Sequence, residues 1–188
     1  MHYRIRMKPD IDMSLDGHII EYDNLITSEM AESLIQLAIN NDGFHRRGSK
    51  SSNVTASFTT CLIFDLTHPI YEILDPIWKS HADANGYDIS FIEYYEIKEY
   101  QTGDSFGEHI DTHGSANMTQ QRKLNLTIQL SESDSYEGGD LYIKDYCAIR
   151  NIGSGIFFPP YVLHKVTEVI SGTRYCLIGH AWGKFSRK

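Results

Sequence analysis

Apolar and polar residues change their spacing partway along this 188-residue chain. Residues 1–17 show little periodicity and read as a polar lead-in, followed by a short strand over 18–25. Over 27–43, apolar residues recur at Met30, Leu34, Leu37 and Ala38, the period of an amphipathic helix. Thr27 or Ser28 caps its start, and Asn41-Asp42-Gly43 ends it. Residues 45–55 read as a polar loop and 56–66 as a strand. A second helix is expected over 68–86, with Pro69 near its start, a kink at Pro76 and Gly86 as its stop. From Tyr87 the texture becomes β-rich, over 88–100, 123–131, 139–146, 154–170 and 173–183. Turn signals separate these segments: QTGD, SESDSYEGG, RNIGSG and ISG. Strands in succession, with no helix between them, imply an antiparallel sandwich or barrel. The expectation is one α+β, mainly β domain over 1–188, with a helix-containing N-terminal half (1–87) against a β core (88–185).

Composition narrows the partners. An apolar content of 41% suffices for a core, and twelve Tyr favour a β-heavy fold. A formal charge of −8 argues against a nucleic-acid partner, which calls for a basic stripe. No apolar run has the length of a membrane span, and no signal peptide is read at the N-terminus, so no membrane partner is expected. Cys61, Cys147 and Cys176 are odd in number and lack CxxC spacing. They read as reduced thiols in a cytoplasmic protein.

The chemistry gathers at GEHIDTHGS, residues 107–115. On a strand, His109, Asp111 and His113 share a face. A lone His-x-Asp means little: nine His and fourteen Asp in 188 residues give about two-thirds of one such tripeptide by chance. A second copy, His81-Ala82-Asp83, falls in the expected second helix, where residues two apart diverge. His81 and Asp83 therefore read as solvated helix-end residues. A strand or extended turn lets His109 and Asp111 converge on one ion. The third ligand then comes from His113, His164 or His180. His164 is conspicuous in an apolar β segment, and ten residues on, across the ISG turn, Arg174 sits inside another. Two His, one Asp and a buried Arg form a coherent set. The first three suit a facial triad that leaves open positions on Fe(II), and the Arg suits a carboxylate of a dicarboxylic co-substrate. Zinc is the rival metal, but the helical H-E-x-x-H of zinc hydrolases is absent.

Three blocks carry a resemblance. YQTGDSFGEHID (100–111), LSESDSYEGGDLYI (130–143) and FFPPYVLHKVTEVISGTRYCLIGHAWG (157–183) resemble, in order, segments of prolyl 4-hydroxylase-like 2-oxoglutarate/Fe(II) dioxygenases. The resemblance covers about residues 88–185 and implies a double-stranded β-helix (jelly-roll) core with N-terminal supporting helices. It implies His109, Asp111 and His164 as iron ligands, Arg174 as the 2-oxoglutarate carboxylate partner, and Tyr100 beside the co-substrate. Asn125, Thr127 and Gln129 alternate on one strand face and are expected to point into the barrel. Relatives often carry an aromatic at position 129, so Gln129 is a departure. Gly138 and Gly139 read as a tight turn, Trp182 as packing or bordering the mouth, His113 as an entrance-loop residue, and His180 as packed or hydrogen-bonded.

The implied activity is Fe(II)- and 2-oxoglutarate-dependent hydroxylation, with O2 consumed, succinate and CO2 as co-products, and ascorbate as an accessory reductant. Proline in a peptide or protein is the leading substrate. Loops 45–55 and 112–122 are candidates to close over it, and Ile110, Leu141, Ile143, Phe157, Phe158, Leu163 and Val166 to form a dry lining. The alternatives are an oxygenase of a free amino acid or other small molecule, and a non-catalytic β-sandwich binding module.

Overall fold

The computed structural model describes residues 5–6, 19–40, 45–51, 54–112 and 120–184. Among these, the elements in chain order are β1 (Ile5–Arg6), β2 (Ile20–Tyr22), α1 (Ser28–Ile39), β3 (His45–Ser51), β4 (Val54–Ile63), α2 (Pro69–Asn85), β5 (Phe91–Ile92), β6 (Tyr95–Gln101), β7 (Ser105–His109), β8 (Gln120–Gln129), β9 (Tyr136–Gly138), β10 (Leu141–Ile143), β11 (Tyr146–Cys147), β12 (Gly155–Phe158), β13 (His164–Val166) and β14 (Val169–Lys184). No described helix is long and apolar enough to cross a membrane.

Period-two alternation builds two packed faces from the central strands. On β8, Leu124, Leu126 and Ile128 join one core; on β6, Tyr95 and Ile97 do so; on β14, Leu177 and Ala181 do so. The same core takes Leu34 and Ala38 of α1 and Ile70, Leu74 and Trp78 of α2. Both helices therefore cover the outer face of this wall. Trp78 Nε1–H donates to the Tyr95 hydroxyl at 2.8 Å, which satisfies the one polar atom its burial would strand. Gly179 makes the close approach feasible, since a Cβ there would lie 2.8 Å from the Tyr95 ring.

The strand order is β1-β2-β12-β8-β14-β6-β4-β7-β13-β10-β11, paired antiparallel throughout. The sheet curls, so that β6, β8 and β14 face β7, β10 and β13 across one cavity. This is the expected jelly-roll. Strands β2 and β4, from the N-terminal half, belong to the same sheet as the core strands.

Several expectations need correction. Residues 45–51 are not loop: β3 pairs with β4 along its whole length, from His45↔Thr60 to Ser51↔Val54. The ladder is made by main-chain groups, so polar side chains do not forbid it. The ISG stretch is not a turn between strands. It lies inside β14 at a register shift beside β9, with Gly172 at φ 77°. His81 is not solvated. It is 2% exposed and stacks on Phe157 at 4.8 Å, because it lies on the same helical face as Ile70, Leu74 and Trp78. Asp83 is exposed, so the pair does diverge. α2 runs through Pro76 between an N-cap at His68 and a left-handed Gly86. α1 has Thr27 as N-cap and is followed by Asn40. The expected stop at 41–43 lies outside the described residues, as do His113 and most of the 112–122 loop.

Candidate metal and co-substrate site

His109 is the last residue of β7, and Asp111 follows in extended chain pinned by its N–H donating to Pro160 O at 2.8 Å. His164 opens β13 directly opposite His109 in the antiparallel register. Sheet pairing thus joins two histidines that are 55 positions apart. His109 Nε2 lies 3.6 Å from Asp111 Oδ1, His164 Nε2 lies 3.3 Å from Asp111 Oδ2, and ligand atoms of all three fall within 4.8 Å of one another.

The protonation pattern follows from the partners of the other ring nitrogens. His109 Nδ1 faces Gly107 O at 2.8 Å, and His164 Nδ1 faces Val162 O at 2.9 Å. A carbonyl only accepts, so each Nδ1 carries a hydrogen, and the neutral ring presents its Nε2 lone pair inward. Two lone pairs and a carboxylate aimed at one point repel unless a cation lies between them. Cis ligands with bonds of about 2.1 Å lie about 3 Å apart, close to the spacing seen here. The donor set fits a divalent metal, and the two main-chain carbonyls are the outer contacts that fix imidazole ligands.

Burial, then the neighbouring charge of His164, pushes the His109 imidazole down to about 4, so it is neutral at ordinary pH. At Asp111 burial acts upward. The positive charge that His164, His180 and His109 carry when protonated outweighs it and holds the carboxyl below the usual range. Asn125 donates from Nδ2 to Asp111 Oδ2 at 2.8 Å. Its Oδ1 accepts from His180 Nδ1 at 2.9 Å, which fixes the amide orientation. Burial pushes the His180 imidazole down to about 3. Arg122 Nη1 stands 3.9 Å from Asp111 Oδ1 while Nη2 donates to Glu93 at 3.1 Å, and Trp182 Nε1 donates to the same Glu93 oxygen at 2.9 Å.

The cavity measures about 210 Å³ and contains the three residues, Asn125, Thr127, His180, Tyr100 and Arg174 on its walls. Arg174 is 2% exposed. Its Nε donates to Gln129 Oε1 at 3.2 Å, and Nη1 donates to the Cys176 sulfur at 3.5 Å. The guanidinium lies 5.5 Å over the Tyr100 ring. Among the described residues it forms no ion pair with a carboxylate. Gln129 thus points inward as expected, where it orients Arg174 and donates to the Tyr136 hydroxyl at 3.0 Å. Burial, above all, pushes the Tyr100 phenol well above its usual range, so it stays a donor. Gly138 and Gly139 have φ 72° and 64°, as a tight turn requires. A Cβ at Gly139 would lie 3.1 Å from Arg174 Cδ, so the turn also clears the arginine's path.

The apolar lining is partly as expected. Leu141, Phe158 and Val166 line the cavity. Phe157 alternates to the other face of β12 and packs against Tyr22 and Trp78, Ile143 is buried in the inner core off the cavity wall, and Ile110 and Leu163 are about half exposed. Phe58 and Phe106 line it instead, with Phe106 stacked on His109 at 3.8 Å. No periodic signal marks Phe106, because β7 pairs with β13 through a register shift.

Residues 95–182 match the 2OG-Fe(II) oxygenase superfamily. A PKHD-type hydroxylase of Shewanella oneidensis is 41% identical over 84 residues, which are 42% of this chain and 38% of that protein's length. The chain therefore aligns with under two-fifths of that relative. A viral collagen prolyl hydroxylase from Paramecium Bursaria Chlorella virus-1, solved as a 2OG complex, superimposes with a TM-score of 0.72 at 16% identity, over 88% of this chain and 96% of the other. A Pseudomonas putida prolyl-4-hydroxylase does so with a TM-score of 0.71 at 14% identity, over 87% and 92%. Residues 95–182 are thus similar to the 2OG-Fe(II) oxygenase superfamily, and the chain shares its fold with these prolyl hydroxylases of solved structure.

Proposed function

We propose that the protein is an Fe(II)- and 2-oxoglutarate-dependent dioxygenase that hydroxylates proline in a peptide or protein. His109, Asp111 and His164 hold the iron, and Arg174 grips the far carboxylate of 2-oxoglutarate. The observation that carries this reading is a buried arginine with no acidic partner among the described residues, in the same cavity as three converging metal-ligand side chains. A buried cation without a counter-charge is costly, and a dianionic co-substrate offsets that cost. A binding module would have no use for both features. When bound, iron and 2-oxoglutarate together supply oxygen activation coupled to decarboxylation, with succinate and CO2 released.

The chain's own residues do the rest. Gly107 and Val162 carbonyls lock the two imidazoles, and Asn125 holds one Asp111 oxygen and so limits how that carboxylate turns. Gln129 aims the guanidinium, and Tyr100 offers a neutral phenol beside it. Leu141, Phe158 and Val166 keep water from the space between. Proline as the target is supported by the prolyl hydroxylases that share the fold. Cytoplasmic residence is supported by three free thiols, Cys61, Cys147 and Cys176. The test is succinate formation from 2-oxoglutarate with Fe(II), wild type against Asp111→Ala, followed by mass spectrometry of Pro-containing peptides. Succinate in the wild type alone, with one oxygen added at proline, supports the reading. Equal rates in both proteins contradict it.

A further inference from the structure

Strand β6 sends Glu96, Lys98 and Tyr100 into the cavity at alternate positions. Tyr100 is the register partner of Arg174 and serves the co-substrate end. Lys98 and Glu96, opposite Cys176 and Ile178, have no part in the chemistry above. Their side chains are 11% and 17% exposed. They lie on the same strand face, yet Nζ and Oε2 stand 3.7 Å apart, beyond hydrogen-bond length. Glu96 Oε1 accepts from the Thr60 hydroxyl, and Oε2 is the oxygen that faces the ammonium. The ammonium sits over the faces of Phe58, at 4.4 Å, and Phe106, at 5.1 Å. Phe106 stacks on His109, so the ammonium is one ring away from a candidate iron ligand. Among the described residues it donates no hydrogen bond. An ammonium carries three donors, and one whose nearest carboxylate oxygen stands at 3.7 Å in a cavity wall still has donors to offer a bound anion. A carboxylate at Glu96, 3.7 Å from that ammonium, repels a phosphate dianion more than a singly charged carboxylate.

We propose that Lys98 and Glu96 form a substrate-recognition subsite that takes a carboxylate of the prime substrate. That carboxylate belongs either to an acidic residue beside the target proline or to a free amino acid. The inference rests on the oxygenase reading and adds a charge requirement to it. The test is calorimetric binding to protein loaded anaerobically with Fe(II) and 2-oxoglutarate, whose own binding is recorded first. Two matched pairs are compared: a Pro-containing peptide with Asp or Asn beside the proline, and L-proline against prolinamide. The expected result is at least about tenfold tighter binding of the acid in one pair, lost in K98M and kept in K98R. Preference within the peptide pair assigns the carboxylate to a side chain, and preference for L-proline assigns it to a free amino acid. Loaded protein that shows no preference in either pair overturns the subsite alone, as does a preference that survives in K98M. Weaker 2-oxoglutarate binding in K98M assigns Lys98 to the co-substrate and also overturns it. Failure to load iron and 2-oxoglutarate removes the oxygenase reading, and the subsite with it.

Discussion

Replacing Arg174 with Met separates a functional cation from a structural one. The guanidinium is fully buried, holds Gln129 and a thiol, and has no carboxylate among the described residues. Among the described residues no carboxylate balances its charge, and Met fills similar volume without a charge to desolvate. Met forfeits the hydrogen bonds to Gln129 and Cys176 and leaves a buried Gln129 oxygen without a donor, about 1–3 kcal/mol, and relieves a desolvation penalty of roughly several kcal/mol. The unliganded melting temperature is therefore expected to stay level or rise. Losing a charge-assisted, bidentate grip on 2-oxoglutarate costs about 2–4 kcal/mol, which is roughly 30- to 1,000-fold in Kd. The assay is thermal unfolding with Mn(II), with and without 2-oxoglutarate. At a hundred times Kd, the ligand adds about 2.7 kcal/mol, or roughly 5–11 °C for a chain of this size. Wild type should show that shift and R174M should not. An R174M protein that melts well below wild type, yet keeps the 2-oxoglutarate shift, would make Arg174 a structural residue and remove its role in holding the co-substrate.

Asn125→Ala leaves one Asp111 oxygen unheld and should weaken metal affinity about 10- to 100-fold in a chelator competition, with the fold intact by circular dichroism. Gly139→Ala meets both a positive φ and Arg174 Cδ, so it should raise the Kd for 2-oxoglutarate more than the Kd for metal. His109 and His180 titrate near 4 and 3 in the folded, metal-free protein, against about 6.5 in an unfolded chain. Both values are depressed, so the unfolded chain binds more protons in that interval. The stability is fully present above about pH 6.5 and is lost as the pH falls through 4, and denaturant midpoints at pH 7.5, 5.5 and 4.5 should fall in that order. Trp78→Ala removes the ring wedged under Tyr95 and Phe157 and should cost about 3–5 kcal/mol in denaturant unfolding, without a matching change in 2-oxoglutarate affinity.

The residues that converge were legible wherever chemistry and periodicity coincide. His109 and Asp111 stand two apart in extended chain, and a histidine and an arginine each interrupt an apolar β segment at His164 and Arg174. Both helices were legible from their 3.6-residue period and caps. The same rule misplaced His81, because a helical face long enough to bury Ile70 and Trp78 also buries position 81. β3 was missed because its pairing uses main-chain groups that leave no mark on side-chain polarity. Alternation on β6 separates Tyr95 and Ile97 from Glu96, Lys98 and Tyr100, yet alternation alone does not say that the second set faces a cavity. The Asp111–Asn125–His180 chain depends on the register of β8 with β14, which sets His180 opposite Asn125. Register is a property of the assembled sheet, not of either segment.

His109, Asp111 and His164 are proposed to hold one ferrous ion. Anaerobic Fe(II) titration, read against a competing chelator, tests it most directly on wild type, His109→Ala, Asp111→Ala, His164→Ala and Asp83→Ala, the last from the chain's other His-x-Asp. One ion per wild-type chain is expected, with loss of tight binding in each of the first three variants and wild-type binding in Asp83→Ala. Tight one-to-one binding that survives removal of His164 would contradict it.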